Sequence, residues 1–222
     1  MTSPFCKGME GDFRNVSFCF HPEPFTLYPI PCFIMNIVLI GYRASGKTTV
    51  GRELAKLLGR PFFDTDRMIF AKTGRTIPEI VEASGWHAFR EVEKTVIAEL
   101  SSLDDVVIAL GGGAVMDPEN VAMLGERGWF VWLQADARVL ALRMGKEQNG
   151  AVRRPSLTGN GTLAEIEDVL AKRLPVYGTV ANMIVDTAGR DLEGIAAEIA
   201  RRLEEDRMDK EKRLERRQTH VR

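Results

Sequence analysis

A glycine-rich stretch followed by lysine and threonine is the part of the chain most directly suited to chemistry. Residues 41–48 read Gly-Tyr-Arg-Ala-Ser-Gly-Lys-Thr and follow the apolar run Ile37-Val38-Leu39-Ile40. Glycines allow several backbone N–H groups to surround one anion, and a helix that begins there directs its positive dipole end at that anion. In this pattern Lys47 reaches the β- and γ-phosphates, and the Thr48 hydroxyl reaches Mg²⁺. The sequence therefore predicts a nucleoside triphosphate site, for which we expect six loop residues to bind the nucleotide: Ala44, Ser45, Gly46, Lys47, Thr48 and Thr49.

Two acidic residues stand at the end of the second predicted strand. Asp64 and Asp66 are separated by one threonine, and residues i and i+2 of a strand share a face, so both carboxylates are expected in the cleft at the carboxyl edge of the sheet. One could hold Mg²⁺, and the other could orient or deprotonate an acceptor hydroxyl. Alone, such a triplet is more often a capped turn, but the preceding phosphate loop favours the functional interpretation.

Of three further features, the two with charged side chains have a plain structural alternative, whereas a glycine triplet is harder to explain in that way. Arg90 and Glu93 are i,i+3 neighbours on a predicted helix and could form a surface ion pair. The triplet Gly111-Gly112-Gly113 follows a buried strand and would bring bare backbone close to a substrate. Arg173 ends a predicted helix, where a cation suits the dipole in any case.

A loop rich in Gly, Arg and Asn is predicted over 145–160 and contains Arg153-Arg154-Pro155. A mobile lid that carries arginine could close over a transferring phosphate and exclude water. The alternative is a solvated loop with incidental basic residues.

The elements that must position these residues follow an α/β pattern. Apolar strand-like runs alternate with helical periods, which predicts a three-layer fold with a parallel sheet covered by helices on both faces. Strands are predicted over 36–40, 61–64, 106–110, 129–133 and 183–185. Helices are predicted from the phosphate loop to Gly59 and over 65–72, 77–83, 87–101, 117–126, 135–144, 162–174 and from 191 onward.

Composition defines the expected domain and its surroundings. Residues 35–203 form the predicted domain; residues 1–34, which hold all three cysteines, are expected to be a disordered extension or a start-site artefact, and 204–222 a charged helical or disordered tail. The remainder of the chain therefore has no cysteine for a metal site or a thiol nucleophile. With 30 basic and 31 acidic residues, no global field favours nucleic acid or an anionic membrane. No apolar run approaches the length of a bilayer span and no secretory signal sequence is evident, so a cytoplasmic protein is expected.

In order and spacing these motifs resemble the shikimate kinase family, whose members are small P-loop kinases. The resemblance spans residues 36 to about 203. Besides the loop, it includes Phe-x-Asp-Thr-Asp at 62–66, Phe-Arg-x-x-Glu at 89–93, Leu-Gly-Gly-Gly-Ala at 110–114, Arg-Pro-x-Leu at 154–157 and Lys-Arg-x-Pro-x-Tyr at 172–177. It implies transfer of phosphate from ATP to the 3-hydroxyl of shikimate, with Mg²⁺ as cofactor, in aromatic amino acid biosynthesis.

The resemblance also implies a role for each matching residue. Arg90 and Arg173 would bind the shikimate carboxylate, with Gly112 and Gly113 lining the same pocket, and Asp66 would act at the 3-hydroxyl. Lys47 and Arg154 would stabilise the γ-phosphoryl group, so Lys47, Asp66 and Arg154 form the catalytic set.

On the nucleotide side, Thr48 directly and Asp64 through water would hold Mg²⁺. Arg143 and Pro155 correspond to positions that touch or flank adenine, and Arg190 is a further candidate. Many relatives have glycine where this chain has Ala44.

Two other readings stay open from the sequence. One is a different small-molecule kinase on this scaffold, such as a gluconate kinase, and the other is a nucleotide-binding regulatory module without chemistry. ATP and shikimate are the expected partners, without nucleic acid or membrane, and the expected state is a monomer.

Overall fold

The chain folds around one parallel sheet with helices on both of its faces. The computed structural model describes residues 35–147 and 163–219. Their elements in chain order are β1 (Asn36–Ile40), α1 (Lys47–Leu58), β2 (Phe62–Asp64), α2 (Thr65–Thr73), α3 (Ile77–Ser101), β3 (Val107–Ala109), a 3₁₀ turn (Ala114–Met116), α4 (Pro118–Gly125), β4 (Gly128–Gln134), α5 (Ala137–Glu147), α6 (Leu163–Val180), β5 (Met183–Asp186) and α7 (Leu192–Thr219). The predicted α/β, P-loop kinase type of architecture is confirmed.

The sheet has the strand order β2-β3-β1-β4-β5, with every neighbouring pair parallel. Strands β2 and β3 lie on one side of β1, and after β3 the chain crosses to β4 and β5 on the other side of β1. Ligands of such sheets bind beyond the carboxyl ends of the strands where this reversal occurs. The predicted phosphate loop follows β1, Asp64 is the last residue of β2, and the glycine triplet follows β3, so all of them stand at that edge.

Alternate residues of the central strand supply the two faces of the core. Ile37 and Leu39 of β1 pack with α1 and α7, for example against Leu54 and Ile199. Val38 and Ile40 pack on the opposite face with residues of α2, α3, α4 and α6. Since β1 is buried on both faces, it appears in the sequence as a continuous apolar run rather than an alternating one.

Several helix boundaries differ from the sequence-based expectation. The predicted helices 77–83 and 87–101 form a single span, α3, interrupted by a non-helical backbone at Gly85 (φ 79°, ψ 172°). Helix α5 continues to Glu147, so residues 145–147 of the predicted lid are helical, because one glycine such as Gly145 weakens a helix without ending it. The rest of that predicted lid, with Arg153, Arg154 and Pro155, lies outside the described residues, as does 1–34.

Helix α6 was predicted to end before Pro175 but continues through it to Val180. Proline removes one backbone hydrogen bond from a helix. The extension brings Tyr177 into the core, where it is fully buried and its ring centroid lies 5.6 Å from that of Trp132. Burial of this large aromatic side chain offsets the lost hydrogen bond.

The last helix, α7, runs from Leu192 to Thr219 and so extends past residue 203. None of the helices within 35–147 and 163–219 combines the length and apolar character needed to cross a bilayer.

Candidate active site

The phosphate loop connects β1 to α1 through three residues with positive φ: Gly41 (138°), Ala44 (60°) and Gly46 (98°). A Cβ on Gly41 would lie 2.5 Å from the backbone oxygen of Leu133, so only glycine fits there. Gly46 is the N-cap of α1, and the helix therefore begins at the loop. Ala44 occupies the left-handed region, which is unfavourable for a residue with a Cβ. This conformation explains why glycine suits the position better.

Lys47 crosses the loop that precedes it. Its Nζ donates hydrogen bonds to the backbone oxygens of Gly41 (3.0 Å) and Tyr42 (2.8 Å). These bonds fix the ammonium group over the cradle of the loop, where an anion would meet both its charge and the amide N–H groups at the start of α1.

Asp64 connects the phosphate loop to α2 by using both carboxylate oxygens. Oδ2 accepts a 2.7 Å hydrogen bond from the hydroxyl of Thr48, and Oδ1 accepts from the backbone N–H groups of Asp66 (3.1 Å) and Arg67 (3.3 Å). Asp64 is therefore the N-cap of α2. The expectation that Asp64 and Asp66 share one face of a strand was wrong, because β2 ends at Asp64 and Asp66 belongs to the first turn of α2.

Asp66 nevertheless lines an open cavity beside the phosphate loop. The cavity includes predicted residues from α2, α3, α6 and the glycine triplet. Its lining consists of Arg43, Asp66, Ile77, Trp86, Phe89, Arg90, Glu93, Gly111, Gly112, Gly113 and Arg173. The structure thus gathers Asp66, Arg90, Gly112, Gly113 and Arg173 into one cavity, from positions that span more than 100 residues of sequence.

Arg90 and Glu93 form an ion pair that is not a surface pair. The Glu93 side chain is 1% exposed and that of Arg90 is 36% exposed, with Nη1 of Arg90 donating to Oε2 of Glu93. Burial raises the pKa of the Glu93 carboxyl, and the guanidinium of Arg90 opposes this shift. Cζ of Arg90 also lies 5.0 Å from the Phe89 ring centroid and 5.9 Å from that of Trp86. A buried carboxylate on one side and aromatic rings on another orient this guanidinium toward the cavity.

The glycine triplet gives the charged side chains room to approach the backbone. A Cβ on Gly111 would lie 2.8 Å from Oε1 of Glu93, and a Cβ on Gly113 would lie 2.6 Å from Nη2 of Arg90. The N–H of Gly111 donates to the Thr65 hydroxyl at 2.8 Å, which fixes the start of the triplet. Glycine is therefore needed at Gly111 and Gly113 because neighbouring side chains approach the backbone closely, and not because the backbone there has a positive φ.

Helix α6 is attached to the same triplet by two side chains. Nη1 of Arg173 (3.0 Å) and the hydroxyl of Tyr177 (2.5 Å) both donate to the backbone oxygen of Gly112. Cζ of Arg173 lies 5.7 Å from the ring centroid of Tyr42, a residue of the phosphate loop that is 2% exposed. Arg173 is thereby held between the triplet and the phosphate loop.

The two arginines considered for adenine contact have different surroundings. Arg143 of α5 donates to Oγ1 (2.9 Å) and the backbone oxygen (2.6 Å) of Thr187 and to the backbone oxygen of Ala44 (3.4 Å). Arg143 thus adjoins the phosphate loop. Arg190 instead pairs with Glu198 of α7 at 2.6 Å.

Sequence reasoning missed part of the lining and two tyrosines that support it, Tyr42 and Tyr177. Glu93 and Tyr177 stood within the quoted motifs but were assigned no role, and Tyr42, Arg43 and Trp86 were not singled out. For Arg43 and Tyr42 the available signal was their position inside the phosphate loop itself. Trp86 had no signal beyond its place one residue after Gly85, at the break of α3.

Shikimate kinases match this chain as a family, as individual sequences and as solved structures. The family described as shikimate kinase matches residues 43–204. The shikimate kinase of Syntrophus aciditrophicus is 40% identical over 182 residues, covering 78% of this chain and 93% of that protein. That of Symbiobacterium thermophilum is 43% identical over 171 residues, covering 77% and 97%. Among solved structures, shikimate kinase from Acinetobacter baumannii in complex with shikimate aligns with a TM-score of 0.72 and 37% identity, over 78% of this chain and 94% of that one.

Proposed function

Since the chain belongs to the shikimate kinase family, we propose that the cavity beside the phosphate loop binds shikimate and that the loop binds ATP. The protein is an ATP-dependent kinase that transfers the γ-phosphoryl group of ATP to the 3-hydroxyl of shikimate, giving shikimate 3-phosphate and ADP. This places it in the shikimate pathway of aromatic amino acid biosynthesis.

The close approach of the phosphate loop to the glycine triplet is the observation that best supports neighbouring sites for ATP and shikimate. A Cβ on Gly112 would lie 3.3 Å from both the backbone nitrogen of Arg43 and the backbone oxygen of Gly41. The acceptor cavity and the phosphate cradle are therefore separated by no more than a layer of backbone. Phosphoryl transfer needs the attacking and leaving oxygens to be in line and close together, which such neighbouring subsites allow.

Asp66 is the residue proposed to act on the acceptor hydroxyl. Its carboxylate lines the acceptor cavity from the first turn of α2, next to the triplet. An oxygen of this carboxylate would accept the proton of the 3-hydroxyl as the oxygen–phosphorus bond forms and the bond to ADP breaks. Lys47 would offset negative charge on the transferring group, with Arg154 proposed for the same purpose from outside the described residues.

Arg90 and Arg173 are proposed to bind the shikimate carboxylate. A planar guanidinium presents paired donors to a carboxylate, and both side chains are already oriented by fixed neighbours. Gly112 and Gly113 would add backbone contacts, because the absence of a Cβ lets a ligand approach the main chain. Recognition of shikimate would thus use rigid groups, which lowers the entropic cost of binding.

Mg²⁺ is proposed to bind next to Thr48 and Asp64. The two side chains are in contact and offer hydroxyl and carboxylate oxygens, the ligand type that Mg²⁺ prefers. In the described part of the chain, no group of three or more His, Cys, Asp or Glu side chains could hold a metal. Mg²⁺ in kinases commonly takes one or two protein oxygens and completes its shell with phosphates and water. When bound, Mg²⁺ would neutralise charge on the β- and γ-phosphates.

An ADP-release assay with three acceptor conditions tests the function. The purified protein would be supplied with ATP and Mg²⁺, together with shikimate, gluconate or no acceptor. We expect ADP release that depends on shikimate. Turnover with gluconate but not with shikimate would favour a gluconate kinase. Nucleotide binding without turnover under any condition would favour a regulatory module.

The monomeric state and the cytoplasmic location stay predictions from the sequence. Sedimentation of the purified protein would test the first, and fractionation of cells that produce it would test the second.

A further inference from the structure

Arg43 is the third arginine that lines the acceptor cavity, besides Arg90 and Arg173. The proposed mechanism assigns it no role. It stands in the phosphate loop between Tyr42 and Ala44, yet it lines the same cavity as Asp66 and Arg173. Residues of a phosphate loop ordinarily serve the nucleotide through backbone N–H groups. A long cationic side chain carried by a residue at the border of the acceptor cavity points to a role toward the acceptor.

Arg43 and Arg173 share one aromatic neighbour. Cζ of each guanidinium lies 5.7 Å from the ring centroid of Tyr42. The ring is buried and packs with Ala135, Leu140 and Ile166, so it is a fixed support for both cations. Cation–π contact of this kind restricts a flexible arginine without neutralising its charge.

Among the described residues that line the cavity, the ionisable side chains carry an excess of positive charge. Three arginines face two carboxyl groups, those of Asp66 and Glu93, and Glu93 is paired with Arg90. The carboxylate of shikimate is the only anionic group of the acceptor before transfer. A cation on the acceptor side therefore has this carboxylate as its natural electrostatic partner.

We propose that Arg43 is a specificity-determining residue that binds the carboxylate of the acceptor together with Arg173, the two guanidinium groups being held by the ring of Tyr42. The inference rests on the proposed function, because it concerns recognition of the same substrate. It extends that function by assigning acceptor recognition to a side chain of the phosphate loop.

The test compares Arg43→Met with the wild type in steady-state kinetics and in ATP binding. Methionine keeps an apolar stem on Tyr42 and removes the charge. We expect the KM for shikimate to rise roughly tenfold, since a charge-assisted hydrogen bond is lost, with kcat within about threefold and an unchanged Kd for ATP. Arg52→Met is the matched control, because Cζ of Arg52 also lies over an aromatic ring, Phe62 at 5.9 Å, but Arg52 does not line the cavity.

Shikimate methyl ester, which lacks the negative charge, separates carboxylate recognition from other roles. With this acceptor we expect Arg43→Met and the wild type to have the same KM within about twofold, since no charged partner remains for Arg43. An equal rise in KM for both acceptors would overturn the proposal, as would an unchanged KM for shikimate. A parallel loss of ATP affinity would also overturn it, by showing that Arg43 only maintains the loop.

The wild type with shikimate distinguishes failure of this inference from failure of the proposed function. If the wild type does not phosphorylate shikimate, the proposed function falls and the inference with it. If the wild type is active and Arg43→Met binds shikimate equally well, only the inference falls.

Discussion

The hydroxyl of Thr48 donates a 2.7 Å hydrogen bond to Oδ2 of Asp64, which joins the first turn of α1 to the end of β2. The other oxygen of the same carboxylate caps α2, the helix that carries Asp66. One side chain therefore holds the nucleotide side and the acceptor side of the site in a common arrangement. This arrangement forms from protein contacts alone, so the geometry for phosphoryl transfer is largely preorganised.

We expect Asp66→Asn to keep ATP binding and to lose turnover by about 10²–10⁴-fold, because an amide cannot accept the proton of the acceptor hydroxyl. The ADP-release rate and the Kd for ATP would be measured side by side. Asp104→Asn is the control, since Asp104 is exposed and pairs with Arg127. Unchanged turnover in Asp66→Asn would remove Asp66 from the reaction.

Gly113→Ala should weaken shikimate binding while preserving the fold. The new Cβ would lie 2.6 Å from Nη2 of Arg90, so this guanidinium must move, which a flexible side chain can do at small cost to stability, whereas Nη2 of Arg173 at 3.4 Å stays in ordinary contact. We expect the KM for shikimate to rise roughly tenfold, which corresponds to about 1.4 kcal/mol. Gly125→Ala, where a Cβ meets nothing within 4 Å, should leave the KM unchanged.

Arg173→Ala and Tyr177→Phe together isolate the contribution of the Arg173 charge. Each variant removes one hydrogen bond to the backbone oxygen of Gly112. Only Arg173→Ala also removes a guanidinium, so we expect its KM for shikimate to rise by about tenfold or more, with little change for ATP. Tyr177→Phe should change that KM by less than about threefold. Equal effects of the two variants would mean that Arg173 acts through the triplet and not on the substrate.

Ala44→Gly should stabilise the protein slightly. The left-handed backbone at Ala44 (φ 60°) costs a residue with a Cβ about 1–2 kcal/mol, which glycine would avoid. The greater freedom of glycine in the unfolded chain opposes this stabilisation by about 0.5–1 kcal/mol. We expect the free energy of unfolding, measured in urea, to rise by roughly 0.5 kcal/mol. Ala71→Gly within α2 is the control and should lower it, because glycine weakens an ordinary helix. A clear loss of stability in Ala44→Gly would show that the methyl group packs usefully.

Glu93→Gln should change how stability depends on pH. Burial raises the pKa of Glu93 above its ordinary 4.5, so the folded chain binds this proton more tightly than the unfolded chain. The contribution of Glu93 to stability is therefore full below pH 4.5 and is lost as the pH rises through the raised pKa. We expect the unfolding free energy of the wild type, minus that of Glu93→Gln, to fall over this range in a urea titration series.

Glu79→Gln provides a control of opposite sign. The backbone N–H of Thr76 donates to Glu79 at 2.7 Å, and this bond is the main reason that the pKa of Glu79 is lowered. The stabilisation from Glu79 is present above its ordinary pKa and is lost as the pH falls through the lowered value. The corresponding difference for Glu79→Gln should therefore rise with pH. A rise for Glu93→Gln as well would mean that its ion pair with Arg90 outweighs burial.

The sheet and the phosphate loop could be predicted from sequence because their signals are local. Strands buried on both faces are short apolar runs, and β1 was predicted with its observed bounds, Asn36–Ile40. The residues of the loop are likewise contiguous. The capping role of Asp64 could not be predicted in this way, because an aspartate at the end of a strand and one that caps the next helix have the same sequence pattern.

The environment of Glu93 could not be predicted, because it depends on distant parts of the chain. Its i,i+3 spacing from Arg90 is the same for an exposed and a buried pair, and its burial results from packing of α3 against the triplet that follows β3. Tyr177 was obscured for another reason, since Pro175 favoured an earlier helix end. Arg154 lies beyond the described residues, so its role stays a prediction.

Helix α6 is joined to the glycine triplet directly, through the bonds from Arg173 and Tyr177 to Gly112, without the use of residues 148–162. The position of Arg173 is thus determined by the helix that carries it. Insertions or deletions in 148–162 would leave these bonds in place. We therefore expect the length of this connection to vary among relatives, and its replacement by design to be tolerated, while recognition of the acceptor carboxylate is retained.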